Sequence, residues 1–267
     1  LEAVGKWPDW NPIHALDHAE MEMAYAIGYD LMYDAFSQEQ RDKIWEIVSK
    51  KGMTITRGCY YGRIAGGYHQ ADETDRFAKW KSNFNTVINS GGICAAIAFA
   101  EYDPDMCFDM IEKGIRSLEY TCIGFEPGGA WCEGATYWNY LVSYLARSMP
   151  SLVNNFGTEF GLMYYQGMEN MGYFLEAMSS AQGTNPFHDA VGGKSGGNYL
   201  NFVGKFYNQP ELIDSRQRKI INGASGVGIW DLIWTDFEPE KTLEDLNKDL
   251  YFRGLDAFSF RESYTDT

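Results

Sequence analysis

The sequence lacks long apolar runs and has few basic residues for its length. No stretch of about 18 consecutive apolar residues occurs, so no segment is predicted to cross a membrane. Only 22 of the 267 residues are Lys or Arg, against 37 Asp or Glu, and the net charge is −15. Affinity for nucleic acids comes largely from Lys and Arg side chains that neutralise phosphates, so this composition argues against DNA or RNA as a partner.

Cysteine is scarce as well, and its positions do not suggest a metal site. The five cysteines form no CxxC motif, and their odd number leaves at least one thiol outside any disulfide within the chain. We therefore expect no zinc. We also expect no other metal and no cofactor. The chain also starts without Met and lacks a signal-peptide pattern, so we interpret it as a fragment or a processed product.

Aromatic residues, in contrast, are abundant. The chain has 8 Trp, 18 Tyr and 16 Phe, which together make up 16% of its residues. One cluster, GGAWCEGATYWNY at residues 128–140, combines aromatics with glycines and a carboxylate between two predicted helices. Flat rings stack on sugars and bases, so an aromatic-lined cleft is one explanation for the surplus. An aromatic-rich helical core is the alternative.

Apolar residues recur at helical spacing through most of the chain, which predicts a series of amphipathic or buried helices. Ser37 followed by Gln40 is a capping-box pattern, and Asp103 before Pro104 fits an N-cap with proline in the first helical position. The segment TVINSGGICAAIAFA is apolar or small on nearly all sides, so its helix should be buried all round. The predicted helices cover residues 13–32, 37–50, 86–100, 104–122, 135–153 and 159–179.

Two regions break this pattern. Residues 51–82 are predicted to form a long loop, and loops of that length inside a compact domain are usually functional or disordered. Beyond residue 181 the helical period fades, and DAFSFRESY at residues 256–264 alternates like a strand. We therefore predict a mainly α fold with a helical domain at residues 1–185, followed by a transition segment and the first part of a β domain at residues 186–267.

Two short stretches carry groups suited to chemistry. KWKSNFNTVIN, at residues 79–89, places lysines and amides at the start of the buried helix, where the dipole and the N–H groups favour an anion. The alternative is that Asn83 or Asn85 caps the helix while the lysines are solvated. In the other stretch, Glu133, Tyr137 and Tyr140 share one helix face, and a tyrosine can donate or accept a proton when its neighbours lower its pKa.

Several stretches resemble the heparinase II/III-like polysaccharide lyases. They are DWNPIHALDHAEMEMAYAIGYDLMYDAFSQEQR (9–41), SNFNTVINSGG (82–92) and EPGGAWCEGATYW (126–138). GIWDLIWTDFEP (228–239) and YFRGLDAFSFRES (251–263) resemble the family's passage into its β-sandwich. The resemblance implies a partial (α/α) toroid, an incomplete (α/α)6 barrel, that leads into the start of an antiparallel β-sandwich.

The resemblance also implies an activity, the cleavage of uronic-acid polysaccharides by β-elimination. In such enzymes an amide or a cation holds the uronate carboxylate while charge grows on it, and a tyrosine moves the proton. By motif match, Asn83 is the carboxylate neutraliser, with Asn85 as second choice, and Tyr137 is the base and acid. The substrate-binding residues implied by the match and its surroundings are Asn85, Glu133, Trp138, Tyr140, Lys81, His69 and Trp131.

Other readings of the same residues stay open. Trp131 and Trp138 either stack on sugar rings or pack in the core. His14 and His18, four residues apart and flanking Asp17, have metal-like spacing but no third ligand, so a structural or surface role is favoured.

The net charge favours a less charged uronate polymer over heavily sulfated heparin, and the family's habit places the protein in the periplasm or outside the cell.

Two further functions compete with the lyase. One is a glycoside hydrolase on an (α/α) toroid, with Glu133 paired with Glu126 or Asp17 across a cleft. The other is a non-catalytic carbohydrate-binding relative that retains the aromatic cleft.

Overall fold

The fold is mainly helical, as the sequence predicts. The strands found among the described residues form two separate antiparallel sheets of two short strands each. In this computed structural model, no helix of the described chain is both long enough and apolar enough to cross a membrane. The structure describes residues 2–62, 76–180, 183–186, 188, 190, 192–193, 196–234 and 239–264, and of Arg76 only the backbone.

The elements of the described chain follow one another in this order. The helices are α1 (Glu2–Gly5), α2 (Leu16–Leu31), α3 (Gln38–Val48), α4 (Thr54–Tyr60), α5 (Arg76–Lys79), α6 (Asn83–Ala98), α7 (Pro104–Gly124), α8 (Gly134–Phe156), α9 (Met171–Ala177), α10 (Leu200–Tyr207), α11 (Pro210–Ile221) and α12 (Ile229–Trp234). The strands are β1 (Ser179–Ser180), β2 (Gly183–Thr184), β3 (Leu250–Phe252) and β4 (Ala257–Ser259).

The chain divides into two compact units. Unit 1 comprises Leu1–Thr121 and Arg147–Leu162, and unit 2 comprises Cys122–Ala146 and Met163–Thr267. Both units include part of α8. These units are clusters of contacting residues rather than the predicted domains, so the boundary between residues 185 and 186 stays a prediction.

Helix α6 forms the centre of unit 1, where it packs closely on α2. A Cβ atom on Gly91 would lie 2.4 Å from the backbone oxygen of Ala19, so only glycine lets the two helices approach this closely. From Asn85 to Ala96 every residue of α6 is buried. The prediction of a helix buried all round is therefore confirmed.

The predicted helix starts are confirmed in their hydrogen bonds. Ser37 caps α3 with a capping box, in which the Gln40 backbone N–H donates to Ser37 Oγ and Ser37 N–H donates to Gln40 Oε1. At α7, the Met106 backbone N–H donates to Asp103 Oδ1 at 3.0 Å. Pro104 occupies the first helical position, where its missing N–H costs nothing.

The loop predicted for residues 51–82 is wrong over residues 76–79, which form α5, and over residues 51–60. There the chain continues from α3 through a π-helical turn, Ser49–Met53, into α4. Gly52 lies against Glu22 and Trp10, since a Cβ atom on it would be 2.7 Å from Glu22 Cγ. This packing is tertiary, and therefore the local sequence does not reveal it. Residues 63–75 lie outside the described residues.

The helix predicted for residues 159–179 is also wrong in its first half. The chain forms two 3-10 turns, Leu162–Tyr164 and Met168–Asn170, and α9 begins only at Met171. Gly161 and Gly167 have φ angles of 78° and 92°, which break the α-helical conformation. The Leu and Met spacing is helical, but the two glycines override it.

In unit 2, two helices occupy part of the region where the sequence favours β structure. Helices α10 and α11 cover residues 200–207 and 210–221, and this corrects that expectation. The strand predicted within residues 256–264 is present as β4, which pairs with β3 through Leu250 and Ser259 at one end and Phe252 and Ala257 at the other.

The hairpin of β3 and β4 lies against the turn that precedes α8. A Cβ atom on Gly128 would be 2.7 Å from both the backbone nitrogen and the backbone oxygen of Arg253, and one on Gly129 would be 2.5 Å from the backbone oxygen of Gly167. The glycines of the stretch 128–140 therefore permit close backbone contacts within unit 2.

Candidate functional site

The SNFN motif lies at the start of α6. Ser82 is the N-cap residue and Asn83 is the first residue of the helix. Ser82 adopts an extended backbone but its side chain makes no capping hydrogen bond, although Ser at this position usually accepts one from the helix N–H groups. The asparagines are buried, with Asn83 2% exposed and Asn85 0% exposed.

The amide of Asn85 is fully used by the protein. Its Nδ2 donates to Phe77 O at 2.8 Å and to Ser117 Oγ at 3.0 Å, and its Oδ1 accepts from Thr121 Oγ1 at 2.6 Å. These bonds tie α5 and α7 to α6. An amide with both N–H groups and its oxygen engaged has little capacity left for a substrate, so Asn85 is a poor candidate for the carboxylate neutraliser.

Asn89 continues this network and was not assigned a role from the sequence. Its Nδ2 donates to Asn85 O at 2.6 Å and to Ser117 Oγ at 2.8 Å, while its Oδ1 accepts from Tyr60 Oη at 2.8 Å. Burial raises the pKa of Tyr60 well above its usual value. The spacing of four residues between Asn85 and Asn89 was the available signal, because it places both amides on one helix face.

A cluster of rings surrounds the start of α6. Phe84 stacks on Phe77 with ring centroids 5.5 Å apart, and Trp80 and His14 approach Phe84 edge-on at 6.5 and 5.7 Å. Lys81, a predicted substrate-binding residue, is exposed in the same segment, as is Lys79. Two other basic candidates, His69 and Arg63, lie outside the described residues, and the side chain of Arg76 is not described.

Tyr137 lies in unit 2, in the first turn of α8, and is half-buried. Tyr140 follows one turn later, half-buried, with its ring edge-on to Tyr144 at 5.6 Å. Glu133, just before the helix, accepts a hydrogen bond from Trp131 Nε1 at 3.0 Å. This contact orients the ring of Trp131.

Trp131 and Trp138 are core residues in this structure. Both are 0% exposed, and Trp131 packs against Phe125 with ring centroids 4.8 Å apart. A ring that stacks on a sugar needs an exposed face, so the core-packing alternative describes these two side chains. The aromatic crowding of residues 128–140 is therefore at least partly a packing feature of unit 2.

The two members of the predicted catalytic pair belong to different units. Asn83 lies in unit 1 and Tyr137 in unit 2. Their convergence on a single sugar unit stays a prediction.

The histidines of α2 and its entry segment have different surroundings. His14 Nδ1 lies 2.6 Å from Asp17 Oδ2, and both side chains are partly exposed. His18 is 0% exposed, with its Nε2 3.1 Å from Thr56 Oγ1. Burial lowers the pKa of His18 to about 4, although Asp17 acts in the opposite direction. Within the described ranges, no three His, Cys, Asp or Glu side chains are grouped so that they could hold a metal ion.

Beside His18 lies a buried carboxyl group that sequence reasoning missed. Glu22 is 0% exposed, and its Oε1 accepts from Thr56 Oγ1 at 2.8 Å. Burial raises the pKa of Glu22 to about 8, and the Thr56 hydrogen bond lowers it by a smaller amount. Glu22 is therefore predominantly protonated near neutral pH. Its apolar neighbours along α2 were the only sequence signal of its burial.

A surface pocket of 310 Å³ lies elsewhere in unit 1, among residues of α1, α2 and α3 and the segments that follow α1 and α2. Its walls are mostly apolar. None of the site residues predicted from the sequence lines it, so it does not bear on the lyase hypothesis. The lining residues are Glu2, Gly5, Lys6, Tyr25, Met32, Phe36, Gln40, Lys43, Ile44 and Ile47.

The chain was compared with protein-family models and with curated proteins, and neither comparison gave a match.

Proposed function

We propose that this protein is a polysaccharide lyase that cleaves a uronic-acid-containing polysaccharide by β-elimination. Asn83 neutralises the uronate carboxylate and Tyr137 acts as base and acid. The helices form part of an (α/α) toroid, and the hairpin of β3 and β4 belongs to the start of an antiparallel β-sandwich. The acidic polymer and a periplasmic or extracellular location follow from the resemblance of the sequence to the heparinase II/III-like lyases.

The observation that carries the proposal is the uncapped start of α6 at the SNFN motif. Ser82 takes the N-cap place without a side-chain capping bond, and Asn83 follows as the first helical residue. Exposed lysines stand just ahead, at Lys79 and Lys81. Helix N–H groups, the helix dipole and two ammonium groups all favour an anion there, in a protein whose net charge otherwise repels one.

The reaction explains why an amide is needed at this place. In the uronate the C5 proton is weakly acidic because the adjacent carboxylate is already negative. When the C5–H bond breaks, its electron pair forms the C4–C5 double bond and the C4–O bond breaks. The Asn83 amide donates to the carboxylate while negative charge grows on it, and Tyr137 accepts the C5 proton and returns a proton to the departing oxygen.

The burial of Asn83 sets a requirement on substrate binding. Since only 2% of this residue is exposed, contact between its amide and a carboxylate requires neighbouring groups to move. Asn85 is not expected to contact the substrate, because its amide is engaged in hydrogen bonds within the protein. Substitution of the two asparagines should therefore have different consequences.

The test is incubation of the protein with a panel of uronate polymers. New ultraviolet absorbance from an unsaturated uronate is the expected result. New reducing ends without that absorbance would indicate a hydrolase, and retention on the polymer without either product would indicate a binding protein. Either outcome contradicts the proposal.

Variants then test the assignment of roles. Asn83→Ala and Tyr137→Phe should each lower kcat by about 100-fold or more at a temperature where both variants are folded. Asn85→Ala should instead lower the unfolding temperature, because it breaks the network between α5, α6 and α7. Tyr164→Phe is the matched control for the lost hydroxyl, since Tyr164 is 74% exposed, and it should leave turnover unchanged. Full turnover in Tyr137→Phe would show that another group moves the proton.

A further inference from the structure

The 310 Å³ pocket of unit 1 has an apolar interior. Tyr25 and Ile44 are the buried members of its lining, and Phe36 and Ile47 are half-buried. Small-molecule pockets measure about 300–1,000 Å³ and combine apolar walls with a few polar groups, so this one suits a small ligand. The interior is matched to the hydrophobic body of that ligand.

One wall of the pocket is formed by α1, and two contacts hold this short helix against α2 and α3. Gly5, its last residue, packs so closely that a Cβ atom there would lie 2.9 Å from Ile47 Cδ1 and 3.0 Å from Tyr25 Oη. Lys51 Nζ donates to the backbone oxygen of Gly5 at 2.8 Å. The wall is therefore held in place by the folded protein itself, which lowers the cost of binding a ligand.

The exposed part of the lining is mainly polar and carries two cations. Lys6 and Lys43 are exposed, and neither forms an ion pair with a carboxylate of the described chain. Glu46, three positions after Lys43, pairs with Lys50 at 2.8 Å instead. Glu2 supplies the single carboxylate among the described lining residues. Two cations and one anion leave one positive charge at this pocket, in a chain whose net charge is −15.

Gln40 adds a neutral donor to the same lining. Its Oε1 accepts from the Ser37 backbone N–H at 2.9 Å as part of the capping box of α3, so the donor end of the amide, Nε2, is the end left for a ligand. Ammonium groups and an amide N–H beside an apolar interior favour a hydrophobic molecule that ends in one negative group.

We propose that this pocket binds a monocarboxylate with a short acyl chain, of the size of octanoate. The acyl chain packs against Tyr25, Ile44 and Ile47, and the ammonium groups of Lys6 and Lys43 hold the carboxylate at the exposed end. The single positive charge of the pocket complements the single negative charge of the ligand. This binding site is separate from the residues of the lyase site and does not depend on the proposed function.

Titration with octanoate, followed in methyl spectra of protein with ¹³C-labelled Met and Ile, tests where the ligand binds. The signals of Met32, Ile44 and Ile47 should shift and reach saturation. The signal of Met149, which is buried in unit 1 and does not line the pocket, should stay in place. Shifts that do not saturate, or that spare the three pocket residues, would overturn the proposal.

Analogues of octanoate test the class of ligand. Octanamide has the same chain without the charge and octylamine reverses the charge, so both should bind at least about threefold more weakly. Hexanoate should bind about tenfold more weakly, because two fewer methylene groups are buried. Equal affinity for octanoate and octanamide would show that the pocket does not recognise a carboxylate. Equal affinity for octanoate and hexanoate would show that the chain is not buried, and either result overturns the proposal.

Substitution of the lysines tests the polar end of the site. Lys6→Gln and Lys43→Gln remove exposed charges without disturbing the core, and each should weaken octanoate binding about twofold to threefold. Lys205→Gln, which removes an exposed charge in unit 2, is the matched control and should leave the affinity unchanged. Wild-type affinity in the double variant of Lys6 and Lys43, or an equal loss in Lys205→Gln, would overturn the assignment.

Discussion

Two buried carboxyl groups, one in each unit, avoid an uncompensated charge in different ways. Asp231 in unit 2 is 4% exposed and pairs with the guanidinium of Arg216, which is 1% exposed. Glu22 in unit 1 is 0% exposed, and its Oε1 accepts a hydrogen bond from the hydroxyl of Thr56. An isolated buried carboxylate is costly, so one region supplies a cation and the other keeps the proton.

All three nitrogen atoms of the Arg216 guanidinium donate hydrogen bonds. The guanidinium makes two bonds to the Asp231 carboxylate, at 2.7 and 2.8 Å, and donates to the backbone oxygens of Gly196 and Gly226. Asp231 also accepts from the Gly228 backbone N–H at 2.8 Å. Burial alone would raise the pKa of Asp231, but the bonds from Arg216 and Gly228 lower it below its usual value. This cluster is charged and joins three chain segments.

The Glu22 cluster is neutral instead. With a pKa of about 8 for Glu22 and about 4 for His18, both side chains lack charge over most of the range between these values. Gly52 leaves room for the carboxyl, as a Cβ atom on it would lie 3.0 Å from Glu22 Oε1. The contribution of the Glu22 cluster to stability therefore depends on pH near neutrality. The contribution of the pair of Arg216 and Asp231 does not.

The largest expected effect comes from removal of the cation in unit 2. Arg216→Met leaves Asp231 buried without its partner, and the free energy of unfolding should fall by about 3–5 kcal/mol. Thermal and denaturant unfolding measure this loss. The double variant with Asp231→Leu should recover most of it, because no uncompensated charge is left. A double variant as unstable as the single one would show that packing of the guanidinium, not the charge, is decisive.

The sequence predicts those parts of the fold that depend on local signals. The capping residues Ser37 and Asp103 and the apolar character of α6 were sufficient for three helices. The errors lie where tertiary contacts decide. At residues 51–60 a helix continues because Gly52 packs on α2, and after Phe160 two left-handed glycines interrupt a helical pattern.

The candidate site could be predicted only in part for the same reason. The motif SNFN indicated the start of α6, but the sequence could not distinguish Asn83 from Asn85. That distinction depends on Thr121 and Ser117, which are distant in the chain and reach Asn85 only in the folded protein. The pairing of His14 with Asp17 was within reach, because the two residues are only three positions apart in the chain.

A second substitution tests whether the neutral cluster in unit 1 is held together by its hydroxyl. Thr56→Val keeps the shape of the side chain but removes the group between His18 Nε2 and Glu22 Oε1. Two buried polar atoms lose their bond, so the free energy of unfolding should fall by about 2 kcal/mol at pH 6. Chemical denaturation measures the change, with Thr158→Val, at a half-buried residue of a surface turn, as the control. A neutral result would mean that the cluster gains nothing from this hydroxyl.

The pH dependence of stability separates the two regions directly. The folded-state pKa of Glu22, about 8, lies above its value of 4.5 when unfolded, so stability falls as pH rises through this window. His18 acts in the opposite direction between about 4 and 6.5, because its folded-state pKa is lowered. The two effects offset each other up to pH 6.5, and beyond it only that of Glu22 remains. Between pH 6.5 and 8 the loss should be on the order of 1.5 kcal/mol.

Glu22→Gln should remove this loss, since an amide does not titrate. The measurement is the difference in unfolding free energy between pH 6.5 and 8 for the wild type and the variant. Glu20→Gln, an exposed residue on the same helix, should keep the wild-type slope. If Glu22→Gln retained that slope, another group would be responsible for it.

The smallest effect is expected where an arginine and a carboxylate pair without burial. Arg116 Nε lies 3.0 Å from Glu112 Oε1 one turn away on α7, and the side chains are 69% and 56% exposed. Water solvates both groups in the folded and unfolded states, so Arg116→Ala should change the free energy of unfolding by less than about 0.5 kcal/mol. The pair has the same kinds of charged group as Arg216 and Asp231, and burial is the principal difference. A loss comparable to that of Arg216→Met would show that the ion pair itself, rather than its removal from water, gives the Arg216 cluster its importance.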